Sequence, residues 1–271
     1  MIASIVLPDT DLKVSRLSFG TASLHHLYTR QARQSLLEAA FNIGITHFDT
    51  SPYYGYGMAE QELGVFLNRR NRNAISIATK VGLYPPSTQT QSISGILLRK
   101  AFGKFFPALS RPFFNWTISV AEQSLNRSLK RLKTEYIDIL FLHEPDPSLI
   151  DSDEFLSWLE RQRNQGKIRY WGLAGLPDPM KTWVENNHPL SAVLQIKDSL
   201  DYQEANVLLM GKRDFQFTYG YLSSSNTVDG RDSKSEVLLK ALQRNRTGTV
   251  LFSTRRLERL AALSEALCLS E

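Results

Sequence analysis

Short apolar runs, rich in β-branched residues, alternate along the chain with longer stretches whose apolar residues recur every three or four positions. The first kind has the length of buried strands and the second the period of amphipathic helices. Ile2 to Leu7 and Leu12 to Leu17 flank Pro8-Asp9-Thr10-Asp11 and predict a hairpin ahead of the main fold. Leu17 to Ala22 is the first strand of the repeating part. Arg30 to Asn42 sets Leu36, Leu37, Ala40 and Phe41 at helical spacing, with Gly44 as its stop. Ile45 to Phe48 is the second strand and ends at Asp49; Glu60 to Leu67 is the helix that follows. Ala74 to Thr79 is strand three, ending at Lys80. Trp116 to Lys133 carries Val120, Leu125, Leu129 and Leu132 on one stripe, and Ile137 to Leu142, strand four, ends at His143.

The same alternation fills the second half. Helices are predicted over Asp151–Arg163, Pro179–Glu185, Gln203–Met210, Ser235–Arg244 and Leu257–Leu267. Between them fall strands five to eight at Ile168–Leu173, Ala192–Ile196, Phe215–Tyr219 and Thr249–Phe252. Strands that alternate with helices imply a parallel sheet with helical crossovers. Eight such units without a linker-like segment predict a single-domain α/β protein over residues 1–271, a (β/α)8 TIM barrel.

One interval breaks the rhythm. Residues 84–115 run for roughly thirty positions where such connections usually take only a few. Pro85-Pro86 and a Ser/Thr/Gln tract lead to Phe105, Phe106, Phe113, Phe114 and Trp116. This long loop after strand three either lids a pocket for an apolar or ring-shaped substrate or packs its aromatics onto the barrel.

Composition narrows the class. Of 271 residues, 42% are hydrophobic and 22% charged, as in ordinary globular proteins, and no apolar run has the length of a membrane span. The N-terminal apolar run is stopped by Pro8 and Asp9 and lacks a basic start, so no signal peptide is read there. Cys268 is the only cysteine, which excludes an intramolecular disulfide and a multi-cysteine zinc site and favours a reducing, cytoplasmic setting. Three Asn-x-Ser/Thr matches, at Asn115, Asn126 and Asn245, are then chance. The net charge of +5 and the pI near 9.3 come from cations spread along the chain. That fits a solvated surface plus an anionic small molecule better than nucleic acid.

Asp49, Tyr54, Lys80 and His143 follow three successive predicted strands, whose carboxyl-terminal ends converge on one face of a barrel. Each has an ordinary reading: a turn-forming carboxylate, a rim aromatic, a solvated lysine, a histidine ahead of the Pro145 turn. Together they compose an acid. A free tyrosine, with a pKa of about 10, donates poorly to a carbonyl at neutral pH. A nearby Lys80 ammonium is expected to lower that pKa, with Asp49 holding the lysine protonated and His143 orienting a substrate oxygen. An acid tuned this way contributes about 10²–10⁴-fold. If the carbon is to receive hydride, no side chain can supply it, and a nicotinamide cofactor is required.

The segments Phe48-Asp49-Thr50-Ser51-Pro52, Tyr54-Gly55, Glu62-Leu63-Gly64, Thr79-Lys80-Val81-Gly82, Ser128-Leu129-Lys130-Arg131-Leu132, Tyr136 to His143 and Gly166 to Gly172 together resemble the aldo-keto reductase family. The resemblance covers nearly the whole chain. It implies a catalytic tetrad at Asp49, Tyr54, Lys80 and His143, with Tyr53 and Tyr56 off the family spacing. It also implies a nicotinamide cofactor on the barrel rim without a Rossmann loop, and Gly55-Tyr56-Gly57 is not completed into one, because Glu60 stands at the third position. Gln195 is then expected to bind the carboxamide and Tyr219 to stack on the nicotinamide. Ser253, Thr254, Arg255 and Arg259 are expected at the adenosine 2′-phosphate, favouring NADP(H) over NAD(H). A helix N-terminus with arginines is a sound anion site on physical grounds alone.

The departures concern the cofactor. Ala174-Gly175 stands where the family usually has Ser-Asn, removing two side-chain partners of the carboxamide. Each lost hydrogen bond is worth roughly 0.5–1.5 kcal/mol, enough to weaken binding by about tenfold or more. Ser253 replaces a commonly basic residue and Leu263 a usual Asn, with Arg255 or Arg256 as compensation. The chain also stops at Glu271, so the family's C-terminal substrate loop is expected to be short or missing. The reading is an NADP(H)-dependent carbonyl–alcohol oxidoreductase acting on a small-molecule aldehyde, ketone or sugar. The alternative is a catalytically weak binding or regulatory barrel. A metal-dependent hydrolase is disfavoured because His25, His26, His47, His143 and His188 show no convincing ligand spacing.

Overall fold

A computed structural model describes residues 2–86, 112–224 and 233–268. The chain opens with β1 (Ser4–Val6) and β2 (Lys13–Ser15), the two strands of the antiparallel hairpin anticipated from Pro8 to Asp11. Eight parallel strands then close into a barrel: β3 (Leu17–Gly20), β4 (His47–Asp49), β5 (Ser76–Val81), β8 (Ile137–His143), β9 (Ile168–Gly175), β10 (Val193–Lys197), β11 (Phe217–Tyr219) and β12 (Thr249–Phe252), with β12 pairing back onto β3. The (β/α)8 barrel is therefore the fold. The long connection after β5 opens and closes with a short antiparallel pair, β6 (Leu83–Tyr84) and β7 (Phe113–Phe114). Most of that loop, with Phe105 and Phe106, lies outside the described residues.

The helices are α1 (Arg30–Asn42), α2 (Met58–Leu67), α3 (Ile118–Leu132), α4 (Ser152–Asn164), α5 (Pro177–Glu185), α6 (Asn206–Met210), α7 (Tyr221–Ser224), α8 (Lys234–Arg244) and α9 (Leu257–Cys268). Local chemistry explains several of their starts. Thr29 accepts from the Ala32 amide and Asp151 from the Glu154 amide, each satisfying an otherwise orphan donor. Ser233 and Glu236 form a reciprocal capping box, so α8 begins at Lys234, one residue before the sequence reading. Pro177 in the first turn starts α5 two residues earlier than expected, because its missing N–H has no intrahelical partner there anyway.

Strand alternation separates two packed layers. Outward residues such as Ile77, Leu140, Leu142, Leu194 and Val250 join the helices in the main core. Inward residues Ala78, Ile139, Phe141, Ala174, Val193 and Phe217 pack with Leu7, Leu12 and Val14 of the hairpin. The hairpin thus plugs one end of the barrel, and the filled interior is a core rather than a pore. Successive strand side chains point to opposite faces. Residues two beyond the inward core positions therefore face inward as well, one layer nearer the carboxyl-terminal rim. Lys80 follows Ala78, His143 follows Phe141, Gln195 follows Val193, Tyr219 follows Phe217, and Asp49 follows His47.

Candidate active site

That layer brings four of the strand-end side chains together with Tyr54. The Lys80 ammonium donates to Asp49 Oδ1 at 2.5 Å and to the Thr50 carbonyl at 3.0 Å. Both side chains of this ion pair are 2% exposed. Tyr54 begins a short 3-10 turn, and three consecutive residues after it, Gly55, Tyr56 and Gly57, have φ of 58°, 55° and 88°. A side chain at Gly55 would lie 2.7 Å from His25 Cβ, so this reversal needs glycine for both space and conformation. The reversal sets the Tyr54 ring with its centroid 5.1 Å from Lys80 Nζ and edge-on to His143 at 6.0 Å. Ser51 Oγ lies 3.4 Å from His143 Nδ1. Tyr56 is buried beside Met58 with Tyr53 packed against them, a small apolar cluster of its own.

Electrostatics correct one expectation. The Tyr54 pKa is raised well above its ordinary value, by burial first and then by the charge of Asp49, with smaller effects from Tyr219, Glu144 and Tyr53. The predicted lowering by Lys80 is not found, because Asp49 in direct contact offsets the ammonium's field. Burial lowers the Lys80 pKa, and Asp49 opposes that by charge and hydrogen bond. His143 is held well below its ordinary value by burial and by Lys80, so it is neutral. The resting arrangement is therefore a protonated phenol beside an internally compensated ion pair and a neutral imidazole.

Gln195 has a partner within the site itself. Its side-chain amide nitrogen donates to Asp49 Oδ1 at 2.8 Å, the same oxygen that receives Lys80. It thus steadies the ion pair in addition to any contact with a ligand. Sequence reading missed this because the bond joins positions 49 and 195 across the barrel.

A cleft of about 380 Å³ leads outward from Asp49 and Tyr54, past Tyr219 and Tyr221, to Ser253, Thr254, Arg255, Arg259 and Lys234. Its volume lies within the usual range of small-molecule sites, about 300–1,000 Å³. Tyr219 ends β11 half-buried, and burial raises its pKa. Tyr221 is anchored from behind: its hydroxyl donates to Asp198 Oδ2 at 2.6 Å, and Arg244 donates to the same oxygen at 2.6 Å. At the outer end Thr254 is buried while Ser253 and Arg255 are exposed, and α9 begins at Leu257. Lys234 was not foreseen. Burial and the neighbouring Arg259 and Arg256 lower its pKa, the signature of clustered cations. The Ser233-x-x-Glu236 capping signal could have located it, since that signal puts Lys234 at a helix start. Among the described residues no cluster of His, Cys, Asp or Glu could hold a metal ion. Nor is any described helix long and apolar enough to cross a membrane.

The structure can now be set beside known proteins. Residues 16–193 match the model of the Aldo/keto reductase family. L-galactose dehydrogenase of Arabidopsis thaliana is 29% identical over 194 residues, covering 69% of this chain and 53% of that enzyme. The chain spans about half the length of the curated relatives it matches. The holo form of an aldo-keto reductase from Bacillus halodurans superposes with a TM-score of 0.72 at 20% identity, covering 98% of this chain and 91% of that one. An aldo-keto reductase from Klebsiella pneumoniae, solved in complex with NADPH, gives 0.68 at 17% identity, covering 99% and 90%.

Proposed function

This chain belongs to the aldo/keto reductase family, and we propose that it is an oxidoreductase interconverting a small carbonyl compound and its alcohol with NADP(H). The observation that carries this reading is the cleft itself, which runs from Tyr54 and Asp49 to a cationic end at Lys234, Arg255 and Arg259. An elongated dinucleotide needs such a path: an aromatic wall for a ring, which Tyr219 offers, and cations for phosphates. The family's use of nicotinamide cofactors agrees with that fit, and the NADPH in the Klebsiella relative supports the phosphorylated form. A nicotinamide held there would supply the hydride exchanged with the carbonyl carbon.

The chain's own residues handle the proton and the geometry. In reduction Tyr54, held protonated by its surroundings, donates to the carbonyl oxygen; in oxidation it is the acceptor. The Asp49–Lys80 pair fixes the ammonium beside the phenol ring. Neutral His143 presents a hydrogen-bonding edge to the same oxygen. Ser253, Thr254, Arg255 and Arg259, with Lys234, would hold the adenosine phosphates, and Gln195 and Tyr219 would hold the nicotinamide. An aldehyde, ketone or sugar is the substrate class, and the cytoplasm is the setting in which NADP(H) and a lone cysteine are at home.

Fluorescence titration of the purified protein with NADPH and NADH tests the reading. Saturable binding, tighter for NADPH, is expected. Lys234→Ala and Arg259→Ala should each weaken NADPH about tenfold and leave NADH nearly unchanged, since each removes a cation facing the 2′-phosphate. Equal losses for both nucleotides would move these residues to the shared pyrophosphate. No binding of either at millimolar concentration would sink the oxidoreductase reading in favour of a binding barrel.

A further inference from the structure

One carboxylate on the catalytic face has no part in the proton relay. Glu144 directly follows His143, with φ of 52°, a left-handed conformation uncommon for a residue with a side chain. Its amide donates to the Ala174 carbonyl at 2.7 Å, which ties the exit of β8 to the end of β9. Its Oε2 accepts from the Leu176 amide at 3.3 Å. A Cβ at position 175 would lie 2.7 Å from that oxygen and 3.0 Å from Cδ. The carboxylate therefore fills the notch at Gly175, occupying the space that a side chain there would take.

The charge balance of the inner cleft gives this placement a consequence. Asp49 and Lys80 compensate each other, and His143 is neutral. Among the described residues no lysine or arginine pairs with Glu144, which accepts from the Leu176 amide. Its field reaches Tyr54, Tyr219 and Lys80, adding to the rise at the two tyrosines and opposing the lowering by burial at the lysine. The half-buried Glu144 pKa is itself raised by burial, against the lowering effects of Leu176 and Lys80. When Glu144 is ionised, its charge has no described lysine or arginine paired against it.

We infer that Glu144 sets the redox preference of this site, its carboxylate favouring the oxidised, cationic nicotinamide ring over the reduced, neutral one. The inference rests on the reading of the rim cleft as a dinucleotide site. NADP⁺ and NADPH carry the same phosphates and adenosine, so the ratio of their affinities isolates the ring. A half-buried carboxylate whose field reaches Tyr54 and Tyr219 alters that ratio by about tenfold. On the enzyme, the same preference inclines the bound pair toward the state that oxidises an alcohol.

The test is a titration of NADP⁺ and NADPH at about pH 8, where the carboxylate is ionised, on the wild type, Glu144→Gln and Glu144→Asp. The glutamine variant is expected to lose NADP⁺ affinity about tenfold relative to NADPH, and the aspartate variant to keep most of the wild-type ratio. Glu144→Ala serves as the charge-free comparison if the glutamine variant does not melt as a folded protein. An unchanged ratio in the charge-free variant, or equal weakening of both nucleotides, overturns the inference. Failure of the wild type to bind either nucleotide is a separate outcome. It removes the dinucleotide reading before any variant is compared.

Discussion

Lys80 and Asp49 decide how the neighbouring phenol behaves. Had the ammonium stood alone beside Tyr54, it would have stabilised the phenolate; joined to Asp49 at 2.5 Å, it leaves burial to dominate and the phenol protonated. A protonated Tyr54 is ready to act as an acid, whereas its use as a base requires the proton to leave. Carbonyl reduction should therefore be nearly flat between about pH 6 and 8, while alcohol oxidation rises with pH over the same span. Initial rates in the two directions check this, and an oxidation rate that falls with rising pH would contradict it. Tyr54→Phe should lose about 10²–10⁴-fold in turnover while keeping its unfolding temperature and nucleotide affinity. Intact turnover in that variant would move the proton transfer to another group.

At the scale of elements, α2 is the piece that holds the site's back wall. Its Glu60 is fully buried, accepting from Thr79 on β5 at 2.7 Å and from Arg131 on α3 at 2.7 Å. Glu62 accepts from Arg33 and Gln34 of α1 at 2.9 Å each. The Glu60–Arg131 bond needs α2 to lie close against α3, and Gly64 permits it, because a Cβ there would run into the Arg131 carbonyl. Backbone cannot yield as the end of a flexible side chain can. Gly64→Ala should cost about 1–3 kcal/mol through overpacking, read as a lower unfolding midpoint in denaturant. A midpoint at or above the wild-type value would mean that the helices separate without loss. Glu-Leu-Gly was legible as a motif; that its glycine is a contact between two helices was not, because residues 64 and 131 meet only in the fold.

For the molecule as a whole, the buried histidines link stability to pH. His47 lies inside the barrel, its Nδ1 2.9 Å from Ser76 Oγ and its ring 4.7 Å from Phe217. Burial and the charge of Lys80 push its pKa down to about 3. An unfolded histidine, with a pKa of about 6.5, binds a proton that the folded one refuses. Stability is therefore complete above about pH 6.5 and declines as pH falls toward about 3, by at most about 1.4 kcal/mol per pH unit per histidine. His143 acts in the same direction. His47→Asn should flatten the acid side of the profile, measured as unfolding free energy against pH. An unchanged slope would show that other groups govern acid unfolding.

Strand and helix periods, read in order, are enough for the eight-unit barrel, its N-terminal hairpin and the strand-end places of Asp49, Lys80 and His143, whereas Tyr54 stands out from Tyr53 and Tyr56 only through the family resemblance. Burial on one face of a strand repeats locally, so it is written in consecutive residues. Strand ends in a parallel barrel all face one rim, so type and position at those ends carry chemistry. The interactions that tune the site belong to another class. Gln195 reaching Asp49, Lys234 joining Arg259 and Glu144 filling the notch at Gly175 join positions 146, 25 and 31 residues apart. The Tyr54 pKa likewise depends on a sum of desolvation and opposing charges. No period or spacing encodes such sums, which exist only once closure of the barrel has brought the contributing groups within a few ångströms.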